Sequence, residues 1–200
     1  MSNMIRRSID IDGEHVSPLG EGRIDEGNDN MEVKLLYWPD KERFDKLVYK
    51  AVVATRGSDI EDGEFDPIVV EDAFSGGLNQ CLEWVTVVFE ISGVSRGLTH
   101  ELVRTRKASF AQQSMRHTDM GNPNVRMPEH IASAREEIQI EWKHSIATSC
   151  KAYQKLVKLD MPYQDARTVL PIGTETYIIA SYPLSVFLDT YSYRACYMFY

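Results

Sequence analysis

Residues 95–117 read SRGLTHELVRTRKASFAQQSMRH, the densest concentration of chemistry in the chain. Arginines stand at 104, 106 and 116, hydroxyls at Thr105, Ser109 and Ser114, and amides at Gln112 and Gln113. A guanidinium is a planar fork of donors that matches phosphate oxygens, and short hydroxyls add a further donor. Backbone N–H groups in a loop after a helix can complete a nest. Leu102, Val103, Phe110 and Met115 are interleaved with these groups and imply partial burial. Arginine buried without an anionic partner is costly. The pattern therefore points to a phosphorylated ligand in preference to a basic helix face solvated by water.

The charge around this segment sharpens the reading. The 200 residues carry a net charge of -8, with 43% hydrophobic and 26% charged residues, which argues against a protein that coats nucleic acid by bulk electrostatics. Residues 1–30 hold seven acids against three arginines, and DIEDGEFDPIVVED (59–72) holds seven acids and no base. Outside these two stretches the chain is net positive, and between Arg96 and Arg116 four arginines and a lysine face one acid, Glu101. A small anionic ligand inside an acidic protein is the natural expectation. No apolar run approaches the roughly 18 residues of a membrane span, and no secretory signal is readable at the N-terminus, so a cytoplasmic protein with no membrane partner is expected. Cys81, Cys150 and Cys196 are far apart and form no CxxC pair, which suggests core packing and neither disulfides nor a zinc site. Neither HExxH spacing nor a G-x-S-x-G elbow occurs, and no metal is expected.

Outward from the segment, periodicity supplies the elements. Residues 1–30 lack sustained periodicity and read as a mobile acidic tail, leaving 31–200 as a single domain. VKLLYW (33–38) reads as a strand stopped by Pro39, and Asp40 can cap a helix with Phe44, Leu47, Val48 and Ala51 on one face. The acidic stretch after Gly57 reads as a surface loop, and 73–83 as a short helix broken at Gly76-Gly77. VTVVFEI (85–91) is a strand closed by Ser92-Gly93. From Ser95 a helix with Leu98, Leu102 and Val103 on one side is expected to run into the basic cluster before Ser109. After the Pro123 and Pro128 loop, apolar residues from Ile131 to Val157 predict one long amphipathic helix. LPIG (170–173) is a turn, 176–181 and 183–199 supply a last strand or helix and a closing helix, and the fold class is α+β with a mixed sheet and long helices.

The run RTRKASFAQQSMRH resembles the signature of the flavin-dependent thymidylate synthases, RHRxxSxNExSxRY, with Arg104, Arg106, Ser109, Ser114 and Arg116 in register. LEW at 82–84 and SRGLTHELVR resemble the family's LEH and SRALTHQLVR segments, and DARTVLPIGTET resembles its ARxVLPxxxxT segment with Arg167 in place. The resemblance covers about residues 32–195. It implies reductive methylation of deoxyuridylate (dUMP) to thymidylate (dTMP), with the methylene from methylenetetrahydrofolate and the hydride from FAD reduced by NADPH. It also implies a homotetramer whose sites are shared between subunits. By matched position, Glu83, Arg104, Thr105, Arg106 and Gln112 would face FAD. Glu101, Arg104, Gln112, Ser114, Met115 through its backbone, Arg116, Arg167 and Arg194 would bind dUMP. Ser114 and Arg194 are the catalytic candidates, because methylation at uracil C5 needs negative charge on the ring stabilised by an aimed donor. Alignment on Arg167 selects Arg194, whereas alignment on the final Arg-Ala pair selects Thr190.

Departures accompany the matches. The signature histidine is Thr105, its asparagine Ala111 and its tyrosine His117; GHxSPLEH reads GLNQCLEW, so histidines become Leu78 and Trp84; AQWEI reads ACYMF (195–199). Trp84 reads either as a ring packed on a flavin or as core filling, and His100 either as a group supporting Arg104 or as an ordinary surface or core histidine. Three functions stay in play: an active synthase, a divergent relative that binds nucleotide or flavin without completing methylation, and a nucleic-acid-docking helix at 95–107.

Overall fold

The computed structural model describes residues 23–25, 31–57 and 65–194. Along the chain run β1 (Arg23–Asp25), β2 (Glu32–Tyr37), α1 (Lys41–Arg56), α2 (Pro67–Ser75), a 3-10 helix (Asn79–Trp84), β3 (Thr86–Ser95), α3 (Arg96–Leu102) and β4 (Ser109–Gln112). Then follow β5 (Asn124–Arg126), α4 (Glu129–Ala132), α5 (Glu136–Lys158), α6 (Tyr163–Ala166), a 3-10 turn (Arg167–Val169), β6 (Glu175–Pro183) and α7 (Leu184–Arg194). The class is α+β, as expected: one four-stranded sheet in the order β2-β3-β6-β4, and a parallel pair β1-β5 with Arg23 opposite Asn124. β1 falls within the stretch read as a tail; residues 1–22 and 26–30, and the ACYMF departure, lie outside the described residues.

The chain divides into two compact units. The first comprises Met1–Glu32, Ile91–Leu102 and Gln112–Ile178, the second Val33–Glu90, Val103–Ala111 and Ile179–Tyr200.

The second unit is built on α1 and α2. Asp40 accepts from the Arg43 N–H at 2.9 Å, satisfying one orphan donor of α1. Gly57 ends the helix at φ 69, a left-handed conformation that glycine enters without steric cost. Val48 and Val52 are fully buried and pack with Ala73, Cys81, Leu82, Val85 and Leu184; each such valine contributes about 1.5–3 kcal/mol of hydrophobic burial. The expected loop over 59–72 is corrected from Pro67 onward. Asp66 accepts from Ile68 N–H, Pro67 takes the first helical position, and Val69, Val70, Ala73 and Phe74 form a helical face against the same core. The expected helix over 73–83 is instead the end of α2, the Gly76-Gly77 turn and the 3-10 helix.

In the first unit, Ile146 and Cys150 of α5 pack with Val125 and Met127, while Tyr153 packs with Met115, Met120 and Ala166. The long helix expected from Ile131 is interrupted. α4 ends at Ala132, Ser133 Oγ donates back to the Glu129 carbonyl, and Gln139 Nε2 donates to the carbonyls of Ala132 and Ala134, freed at the break. The stripe also thins toward the start of α5, where Ile138 and Ile140 are exposed.

β3 and β6 run antiparallel: Arg96 N–H donates to Thr174 O at 3.0 Å in the first unit, and Leu184 N–H to Val85 O at 2.7 Å in the second. β3 continues past Ser92-Gly93 because Gly93, at φ 67, absorbs the irregularity within the strand. The LPIG turn leading into β6 needs its glycine, since a Cβ on Gly173 would stand 3.0 Å from the Arg126 carbonyl oxygen. Two expectations about the basic segment are corrected here. α3 stops at Leu102, ahead of the cluster, and residues 103–108 form a turn with Lys107 at φ 65. The second half of the signature is then strand, β4.

Candidate anion-binding site

The first unit gathers three arginines. Arg96 opens α3, whose entry is fixed by Ser95 Oγ accepting from the Leu98 N–H at 3.1 Å. Its Nη2 donates to the Gln113 carbonyl at 2.6 Å, while its Nε is buried and has no partner. Burial lowers the pKa of Arg96 first and the nearby Arg167 guanidinium lowers it further, so the two cations stand close enough to repel. Arg167 follows α6 and donates from Nε to the Gln164 carbonyl at 3.1 Å. Arg116 donates from Nη2 to Gln164 Oε1 at 3.2 Å. Gln164 thus receives both guanidiniums on neutral oxygens. Among the described residues none of the three arginines has a carboxylate within ion-pair distance. Cations that are held together and left without a carboxylate are stabilised by an arriving anion.

Donors of other kinds lie on the same segment. The Ser114 hydroxyl accepts from the Arg116 N–H at 3.2 Å, which leaves its own proton available to a ligand. The Met115 side chain is 6% exposed and belongs to the core. Glu101 is exposed on α3. Gln112 is half-buried at the end of β4, its amide nitrogen 2.7 Å from Thr99 Oγ1 and 3.4 Å from Thr176 Oγ1. Of the residues read from the sequence as dUMP ligands, Gln112, Ser114, Met115, Arg116, Arg167 and Glu101 fall in this unit. Arg96 was absent from the expected set, although it was counted in the basic cluster. Its signal was the Ser-Arg pair opening SRGLTHELVR.

The second unit holds the other candidates. Arg104 and Arg106 are exposed on the 103–108 turn without a carboxylate partner among the described residues, and Thr105 between them is half-buried. Glu83 is exposed at the end of the 3-10 helix, with Lys107 Nζ 3.9 Å from its Oε1. Trp84 is 69% exposed, so the core-filling alternative is excluded. Leu78 packs against the apolar core. Arg194 ends α7 and lies near Tyr182, whose phenol it acidifies against the larger, opposing effect of burial. The alternative Thr190 donates its hydroxyl to the Val186 carbonyl within the helix.

No group of His, Cys, Asp or Glu among the described residues could hold a metal ion. No described helix is long and apolar enough to cross a membrane. Cys81 and Cys150 are free and buried, and burial pushes the Cys150 thiol up to about 11.

A four-stranded sheet and helices, with guanidiniums in the first unit that have no carboxylate partner among the described residues, define an α+β protein suited to receive an anion. Residues 36–198 match the family of thymidylate synthase complementing proteins, and the chain belongs to it, the family of the flavin-dependent thymidylate synthases. A flavin-dependent thymidylate synthase from Pyrococcus abyssi is 35% identical over 124 residues, covering 60% of this chain and 50% of that protein. One from Clostridium tetani is 30% identical over 188 residues, covering 83% and 75%. The chain thus spans about half the length of the Pyrococcus relative. Among solved structures, a UMP/dUMP methylase, PolB from Streptomyces cacaoi, bound with 5-Br dUMP, aligns with a TM-score of 0.64 at 18% identity, over 78% of this chain and 75% of that one. That likeness concerns the fold.

Proposed function

We propose that this chain is an enzyme that methylates dUMP at C5 to give dTMP, with methylenetetrahydrofolate as one-carbon donor and NADPH as the source of the hydride. The observation that carries the proposal is the convergence of Arg116 and Arg167 on Gln164, with Arg96 close to Arg167 and no carboxylate paired to any of them among the described residues. In this reading the three guanidiniums hold the nucleotide phosphate, and the Ser114 hydroxyl and the Met115 amide supply further donors. Fixing the phosphate positions the pyrimidine before the chemical step, which converts binding energy into orientation. To Arg194 we assign the stabilisation of the negative charge that develops on uracil as C5 becomes nucleophilic. Glu101 borders the nucleotide.

The residues of the second unit fit the phosphates and ring system of FAD. Arg104 and Arg106 are exposed cations without carboxylate partners among the described residues, and Trp84 offers an open aromatic face. Thr105 and Glu83 complete the set proposed from this unit, and Gln112, of the first unit, is assigned to FAD only by its matched position in the family signature. When bound, FAD would carry the hydride from NADPH to the one-carbon unit transferred onto the pyrimidine, reducing it to methyl. We place the enzyme in the cytoplasm as a homotetramer whose subunits complete one another's sites, with 31–200 as its single domain.

A second reading, a relative that binds nucleotide without methylating it, is favoured by Leu78, which packs into the core where the family pattern has histidine. Tritium release from C5-labelled dUMP, measured with FAD, NADPH and the folate, separates the two. Release with formation of dTMP supports the synthase, and nucleotide binding without release supports the second reading.

A further inference from the structure

A set of hydroxyls in the first unit dictates which way the Gln112 amide faces. Thr99 is fully buried on α3, and its hydroxyl donates to the Arg96 carbonyl at 3.1 Å. That proton is therefore spent, and Thr99 Oγ1 can only accept from Gln112, 2.7 Å away. Thr176, 4% exposed on β6, is arranged alike: its hydroxyl is directed to the Tyr177 carbonyl at 3.4 Å and faces the Gln112 amide nitrogen at 3.4 Å. Two acceptors on the inner side require the NH2 end of the amide there. Gln112 Oε1 is left facing the other way, neither bonded to a described residue nor buried.

Resting on the proposed nucleotide site, we infer that Thr99, assisted by Thr176, is a positioning residue that turns the Gln112 amide so that its carbonyl oxygen, an acceptor only, meets a donor group of the nucleotide. A free glutamine side chain offers either end of its amide to a ligand. With its NH2 group held by two hydroxyls, this one selects a ligand that brings an N–H or O–H. On a nucleotide that donor is the uracil imide N–H or a sugar hydroxyl. The same network ties the end of β4 to the start of α3, so the orientation of Gln112 and the placement of Arg96 are linked through the Arg96 carbonyl.

The test compares wild type, Thr99→Val and Thr99→Ser, each checked for an unchanged thermal midpoint. By NMR, the Gln112 side-chain amide protons of wild type and Thr99→Ser exchange with water at least tenfold more slowly than those of free glutamine, and Thr99→Val restores fast exchange. Fast exchange in wild type overturns the inference. By calorimetry, Thr99→Val weakens dUMP binding about fivefold, the worth of one misplaced neutral hydrogen bond, while Thr99→Ser restores it. Two analogues, 2′,3′-dideoxyuridylate and N3-methyl-dUMP, identify the donor: the one that lacks it binds wild type and Thr99→Val equally. Equal loss for all three nucleotides signifies a merely structural residue and overturns the inference. Wild-type protein that binds none of the three overturns the proposed function, and a protected amide in the same sample still upholds the orientation.

Discussion

Arg116 and Arg167 meet on one residue: Gln164 accepts from Arg116 through its side-chain oxygen at 3.2 Å and from Arg167 through its backbone carbonyl at 3.1 Å. A neutral residue holds both cations in place without cancelling their charge, which a glutamate would do. Gln164→Ala removes only the contact to Arg116 and should weaken dUMP binding about threefold or less. Gln164→Glu sets a carboxylate against Arg116 and should cost more than about tenfold, with a loss that shrinks as salt rises. Titration calorimetry of both variants at two ionic strengths checks the order.

Arg96 is predicted to be held for binding at the expense of stability. Its Nε is buried without a partner and its charge lies near Arg167. Arg96→Met should therefore stay within about 1 kcal/mol of wild type in denaturant unfolding, because an apolar replacement removes the unpartnered Nε and the repulsion with Arg167, offsetting the lost bond to the Gln113 carbonyl. Its affinity for dUMP should fall about tenfold or more, as expected on losing a charged contact to phosphate. The same concentration of dUMP should correspondingly raise the thermal midpoint of the variant less than that of wild type.

Alkaline pH should destabilise the fold through its buried acids. Burial raises the Cys150 thiol from 9.0 to about 11, and burial likewise raises Tyr153 and Tyr182. A raised folded pKa means that the protonated form is the one the fold favours. The stability linked to Cys150 is therefore fully present below about pH 9 and is lost as pH climbs through 11, with a slope of about 1.4 kcal/mol per unit for one proton. Unfolding free energies measured between pH 9 and 11 should decline, and Cys150→Ala should remove about one proton's worth of the slope.

Tyr153 ties α5 to the segment after the site. Its hydroxyl accepts from the buried Met120 N–H at 3.0 Å and lies 3.2 Å from Asp119 Oδ1, to which it donates. Tyr153→Phe leaves that amide unsatisfied and should cost about 1–3 kcal/mol of stability. Urea unfolding, with an unchanged m-value, is the check.

Much of this arrangement was legible in the residues, for reasons that differ from place to place. The cap at Asp40, the strand after Trp84 and the turn before β6 declared themselves because capping, β-branched runs and proline-glycine turns act locally. α2 did not, because its acids dominated the composition while Val69, Val70, Ala73 and Phe74 carried the helical spacing beneath them. The basic cluster was read as helix because nothing local announces that Lys107 takes a positive φ or that Ser109–Gln112 joins a sheet. Those are consequences of long-range strand pairing. At the site, Arg116, Ser114 and Arg167 were visible as types in a pattern. Arg96 became distinguishable only by burial and by its proximity to Arg167, and Gln164 only as the acceptor shared by two guanidiniums, properties that no spacing encodes.

The central claim is that the gathered guanidiniums recognise the phosphate of a nucleotide. Titration calorimetry of the purified protein with dUMP and with deoxyuridine, which differ only in that phosphate, tests it most directly, repeated on Arg167→Met. In wild type, dUMP is expected to bind at least a hundredfold more tightly than deoxyuridine, and the variant to lose most of this difference. Equal affinity for the two ligands, or a difference that Arg167→Met leaves intact, would contradict it.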